Sequence, residues 1–174
     1  AFEGDEDITG KRPSDQLIRS IEDPLRQFLK TMGRPLVNRL MTRLVLATDL
    51  HLNGDDVGGL SDGRRVYVDL DHNSNPLLVY GRTLHHEFSS NILRAAPWTL
   101  RNAWNELSAG HYDSSASYLH TCLSSPNFAN ETSSDLLRHG LLRNYSVTNS
   151  ENDFNVYAEV LFTEPERLRR WRAD

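Results

Sequence analysis

Residues 64–95 read RRVYVDLDHNSNPLLVYGRTLHHEFSSNILRA, and this stretch sets the fold class. In Arg64–Leu70, Val66 and Val68 share one face and Tyr67 takes the other, the two-residue period of a strand. Asp71–Asn75 is a polar loop, and Asn75-Pro76 is a helix-start signal. From there Tyr80, Leu84, Phe88 and Ile92 recur every fourth residue, which predicts one long helix over 76–95. Pro97 ends it.

Working outward, residues 14–32 are helical, with Leu17, Ile21, Leu25, Phe28 and Leu29 on one stripe. Asp23-Pro24 allows either two helices or one kinked helix there. Gly33-Arg34-Pro35 stops the helix. Residues 43–52 read as a strand, and Asn53-Gly54 and Gly58-Gly59 as turns. Residues 98–132 read as irregular, 134–143 as a short helix broken near Gly140, and 151–172 as a final helix carrying Phe154, Tyr157, Ala158, Leu161 and Phe162. Residues 1–12 read as a mobile lead-in, and 13–174 as one domain. Helices before and after a small set of strands make the class α+β.

Composition narrows the chemistry. A chain of 174 residues is long enough to bury a real core. No apolar run approaches the ~18 residues of a spanning helix. The net charge of −5 argues against a general nucleic-acid binder. A single cysteine, Cys122, excludes an intramolecular disulfide and a cysteine-built zinc site. Any transition-metal site must therefore draw on the seven histidines and on carboxylates. Asn130-Glu131-Thr132 and Asn144-Tyr145-Ser146 match the short glycosylation pattern.

The chemical candidate lies on the long helix. In the zinc-peptidase pattern H-E-x-x-H, two histidines one turn apart grip the metal, and the Glu beside the first activates a water. His86-Glu87 matches the first half, and Ser90 stands where the second histidine would be. His85 cannot replace it, because consecutive helical side chains diverge by about 100°. Arg82, Thr83, His86, Glu87 and Ser90 make a polar face. An ordinary two-sided helix with hydrogen-bonded histidines is the competing reading.

Residues 145–154 read Tyr-Ser-Val-Thr-Asn-Ser-Glu-Asn-Asp-Phe. This segment resembles the gluzincin metallopeptidases, in particular the anthrax-toxin lethal factor branch and bacterial zinc-binding metallopeptidases. There a later helix begins near Tyr-x-x-Thr-Asn and continues as an acidic residue followed by Phe. The order of elements over about 40–170 is similar as well. The resemblance implies a zincin-like fold, with a small mixed sheet, an active-site helix and a C-terminal acidic helix. It implies a Zn2+ cofactor held by His86 and Asp153, with Ser90 (through water) or a distant histidine completing the set. Glu87 would be the general base, Tyr145 would stabilise the oxyanion, and His85 and Glu151 would support the ligands, Glu151 being the alternative third ligand. Strand 64–70 would be the edge along which peptides lie. A peptide or protein substrate and a secreted or periplasmic setting follow from the same resemblance.

Two functions thus stand at this point: a divergent zinc-dependent metallohydrolase acting on peptide bonds, and an inactive zincin-like domain that binds peptides or proteins. Other residues have plainer readings. His51, His72, His111, His120 and His139 are spread through loops and ends. Asp69-x-Asp71-x-Asn73-x-Asn75 resembles a calcium loop but has Ser74 and Tyr80 where Gly and Glu are required, so it reads as a turn and cap. Cys122 lacks a cationic neighbourhood and reads as an ordinary thiol. Trp98, Trp104 and Tyr112 either line a groove or anchor their segment to the core.

Overall fold

The computed structural model describes residues 2–3, 8–71, 76–107 and 109–173, and the side chains of 8–71, 81–107 and 109–171. It divides into two compact units, Ala1–Asn91 and Ile92–Asp174.

The first unit is built on a mixed sheet. Its elements are β1 (Phe2–Glu3), β2 (Ile8–Lys11), α1 (Asp15–Ser20), α2 (Glu22–Met32), α3 (Arg34–Leu40), β3 (Arg43–Leu52), β4 (Asp55–Asp56), β5 (Gly59–Ser61), β6 (Arg65–Asp69) and the start of α4 (Pro76–Ala95). The strand order is β1-β2-β3-β6-β5, with β4 paired to β3. β3 runs parallel to β6 and antiparallel to β2, while β5 runs antiparallel to β6. Ile8, Ala47, Leu50, Val57 and Tyr67 form a buried core, with Val45, Leu52 and Leu60 packed against it. Behind it, Phe28 of α2 meets Phe88 of α4 edge-to-face, ring centres 5.3 Å apart.

Local chemistry explains the breaks. The helical stripe over 14–32 is two helices divided at Ile21, and Pro24 falls in the first turn of α2, where its missing N–H is no loss. Ser14 caps α1 by accepting the Leu17 N–H. Gly33, at φ +77°, ends α2, and Pro35 then opens α3. The residues read as a stop signal therefore also start a helix that the reading missed. Asn53-Gly54 does form a turn, with both residues at positive φ. Gly59 does not; it opens β5. Part of the expected lead-in is also structured, because Ile8–Lys11 is a sheet strand paired to β3.

In β3 the chain bulges at Asp49, whose φ is +54°, and the β2–β3 register shifts alongside. The buried carboxylate of Asp69 repairs the interruption. It accepts the N–H of Leu50 at 2.8 Å and of Asp71 at 3.0 Å. The resemblance of 69–75 to a calcium loop thus reduces, at Asp69, to a cap on the bulge; residues 72–75 lie outside the described residues.

The second unit is helical: the end of α4, α5 (Trp98–Leu107), α6 (Ala116–Ser124), α7 (Pro126–Asn130), α8 (Ser134–Arg138), a 3₁₀ turn (Asn144–Thr148), α9 (Ser150–Thr163) and α10 (Pro165–Ala173). The expectation of an irregular 98–132 is wrong. Ser115 is a cap, accepting the Tyr118 N–H to start α6, and Pro126 opens α7 at its first position. The final helix is two, broken at Glu164 before Pro165. Leu142, Val156 and Val160 form a buried cluster. Beside it lies a buried ion pair, in which Arg143 Nη1 donates to Glu159 Oε1 at 2.5 Å and Nη2 to Glu164 at 3.4 Å. Asn144 donates its side-chain amide to the Phe128 carbonyl at 2.9 Å, so this glycosylation-like triplet is engaged inside the fold. No helix among the described residues is long and apolar enough to cross a membrane.

Candidate functional site

In the first unit the candidate residues sit on successive turns of α4. His85 is in the core, its ring 5.2 Å from that of Phe28. His86 and Glu87 are half-buried, and Ser90 is buried. The Ser89 hydroxyl donates to the His86 carbonyl at 2.6 Å.

An outer strand of the sheet lies against this face. That strand is β5, not β6, which is paired on both sides. The expected edge at 64–70 is therefore corrected to 59–61. A Cβ added to Gly59 would lie 2.6 Å from Thr83 Cγ2 and 3.0 Å from Glu87 Cγ. Glycine suits this position because the strand backbone comes so close to the helix that a Cβ would force Thr83 to shift. Two residues on, the Ser61 hydroxyl donates to Asn91 Oδ1 at 2.7 Å. Thr83, Glu87 and Asn91 are successive i, i+4 positions, so one stripe of α4 runs along β5.

The pairing also orients the β5 backbone. Asp69 N–H donates to the Gly58 carbonyl at 2.9 Å and Asp62 N–H to the Arg65 carbonyl at 3.2 Å. The intervening pairs Gly59–Val68 and Ser61–Val66 are then the non-hydrogen-bonded kind. Their geometry turns the N–H and C=O of Gly59 and Ser61 away from β6.

The second unit holds the other candidates. The Tyr145 ring packs on the Leu142–Val156–Val160 cluster. Thr148 donates to the Tyr145 carbonyl at 2.8 Å and accepts from the Asn152 side chain at 2.7 Å. Asn149 caps α9 by accepting the Asn152 N–H at 2.8 Å. The Thr148-Asn149 pair is thus the start of a helix, and it sets Asp153 in the first turn. Glu151 is partly exposed and paired with Arg94 at 2.9 Å.

Asp153 is only 1% exposed. Burial pushes its pKa up to about 7, against smaller lowering effects of Ser146 and Tyr112. Tyr112 donates to Oδ2 at 3.3 Å. The buried Ser146 hydroxyl faces the carboxyl outside hydrogen-bond geometry, and Ser146 Oγ and Asp153 Oδ1 lack a partner among the described residues. Sequence reading missed Ser146, although it lies inside the quoted motif.

A zinc centre needs three converging protein donors. On the polar face of α4 the first unit offers one imidazole, His86, and a buried hydroxyl, that of Ser90, at the next turn. The second offers Asp153, faced by hydroxyl groups. Within neither unit do three or more His, Cys, Asp or Glu side chains converge as a metal requires, among the described residues. Among the described residues, the donors of either unit alone do not make up a zinc set.

No family model, curated protein or solved structure matches the chain.

Proposed function

We propose that the chain is a zincin-like domain that binds an extended peptide by strand addition along β5, beside Glu87. The observation that carries this reading is Gly59. It brings the outer strand into contact with the Thr83–Glu87 stripe while its own backbone groups point away from β6. A peptide added there gains main-chain hydrogen bonds, and every second side chain would be presented to α4. Glu87 supplies a carboxylate beside that path.

Metal-dependent hydrolysis of the bound peptide is the second reading. It is favoured by the adjacency of His86 and Glu87 on the helix that lines β5, and by the resemblance of the Tyr145–Asp153 segment. In that reading Glu87 would be the general base, as the resemblance implies.

One peptide set separates these outcomes. Fluorescent β-prone heptapeptides are N-methylated on alternate residues, in one frame or the other, and binding is read by anisotropy. Strand addition predicts that one frame abolishes binding and the other leaves it intact. Equal binding in both frames, or none to the unmethylated peptide, sinks the proposal. Zinc at one ion per chain in chelator-free protein, with cleavage lost in Glu87→Gln, selects the hydrolase.

A further inference from the structure

A groove in the second unit is lined by residues that no reading above has used. It lies where the end of α4 and α5 meet the first turn of α9, with a volume of about 380 Å³. Leu93, Arg94, Trp98, Arg101, Asn102 and Asn105 line it, with Ser150 and Glu151 opposite. That volume is at the small end for ligand pockets, ~300–1,000 Å³.

Trp98, Arg101, Asn102 and Asn105 follow i, i+3, i+4, i+7 spacing, so they form one stripe of α5. The helix does not need this stripe for its own anchoring. Trp104 does that work, on another face: its ring packs edge-to-face on Phe154 and Tyr157, each at 5.2 Å, and its indole N–H donates to the Ser150 carbonyl at 2.9 Å. Trp98 is left 65% exposed. Arg101 is exposed too, and its guanidinium has no partner among the described residues. Beside it, Arg94 already holds the carboxylate of Glu151. The groove thus contains one completed arginine–carboxylate pair and a second arginine lacking its carboxylate.

We propose that this groove binds a short acidic peptide segment, with one carboxylate on Arg101 and a neighbouring aromatic side chain on Trp98. A guanidinium takes a carboxylate through paired N–H donors. An indole face takes an aromatic ring in offset or edge contact. The amides of Asn102 and Asn105 both donate and accept, as a peptide backbone requires. Trp and Arg are also the residues that most often carry binding energy at protein interfaces. A nucleic-acid strand offers rings and anions as well. Here Arg94 is already paired with Glu151, so Arg101 alone is left in the groove, enough for one carboxylate and too little for a run of phosphates.

The test uses the full chain and three probes, read by fluorescence anisotropy: labelled Gly-Asp-Phe-Glu-Gly, labelled Gly-Lys-Phe-Lys-Gly, and a labelled uridine decamer. The acidic peptide is expected to bind, and the lysine peptide and RNA are not. Arg101→Glu and Trp98→Ala should each weaken the acidic peptide by about tenfold or more. Both side chains are exposed, so thermal melts of the variants should match the parent. Should Trp98→Ala fail to fold, Arg101→Glu carries the test alone. Absence of acidic-peptide binding, equal binding to Arg101→Glu, or preferential binding of the RNA overturns the proposal.

Discussion

Replacing Gly59 with alanine tests how β5 meets α4. The new Cβ would stand 2.6 Å from Thr83 Cγ2 and 3.0 Å from both Glu87 Cγ and the Tyr67 carbonyl. Carbon–carbon contacts settle near ~3.5–4.0 Å, so the overlap with Thr83 is about 1 Å. The φ of Gly59 is not positive, so alanine meets no backbone strain there. Loss of glycine would otherwise help, by roughly 0.4–1 kcal/mol, through the unfolded chain. Overpacking a closed contact costs about 1–3 kcal/mol. The net expectation is a destabilisation of about 1–2 kcal/mol in urea unfolding followed by far-UV circular dichroism. Thr83→Ala removes the clashing Cγ2. The same Gly59→Ala change in that background should therefore cost about 1 kcal/mol less, a coupling well above the scatter between independent sites. Equal cost in both backgrounds, or a stabilising Gly59→Ala, would refute the close approach.

Three further outcomes follow from individual contacts. Glu159→Gln leaves the buried Arg143 guanidinium without its main counter-charge and should cost about 3–5 kcal/mol, whereas Arg143→Met with Glu159→Leu should recover much of that loss; urea midpoints of the three proteins decide it. Asn149→Ala removes the cap of α9 and should cost about 1 kcal/mol, with faster amide exchange confined to the first turn of that helix. Burial, aided by Asp71, raises the Asp69 carboxyl to about 6. The folded chain then holds a proton that the unfolded chain has released, so this group's contribution to stability falls as pH rises from about 4 to above 6, by up to about 3 kcal/mol. The Asp69→Asn variant should lack that slope. Paired urea titrations at pH 4.5 and 7 check the sign, and a steeper fall in the variant would contradict it.

Much of the first unit was legible because period and turn chemistry agree there. The apolar run of 43–52 and the four-residue repeat over 76–95 give β3 and α4 with their observed ends. Gly59 was misread because a Gly-Gly doublet signals a turn locally, while its true constraint is the distant Thr83 and Glu87. In the second unit, serines stand at helix starts rather than in loops, which hid α6 and α7. Of the candidate residues, Asp153 stands out by burial, and Thr148 and Asn149 turn out to cap its helix. The Arg143–Glu159 pair has no local spacing signal, because its partners lie on separate elements.

The most direct test of peptide capture is amide hydrogen exchange at Gly59 with and without a bound heptapeptide. Its N–H points away from β6, whereas that of Leu60 faces its partner Tyr67 within the ladder. The account predicts that the peptide slows exchange at Gly59 by at least about tenfold and leaves Leu60 unchanged. Unchanged exchange at Gly59 under saturating peptide, with protection elsewhere in the chain, would contradict it.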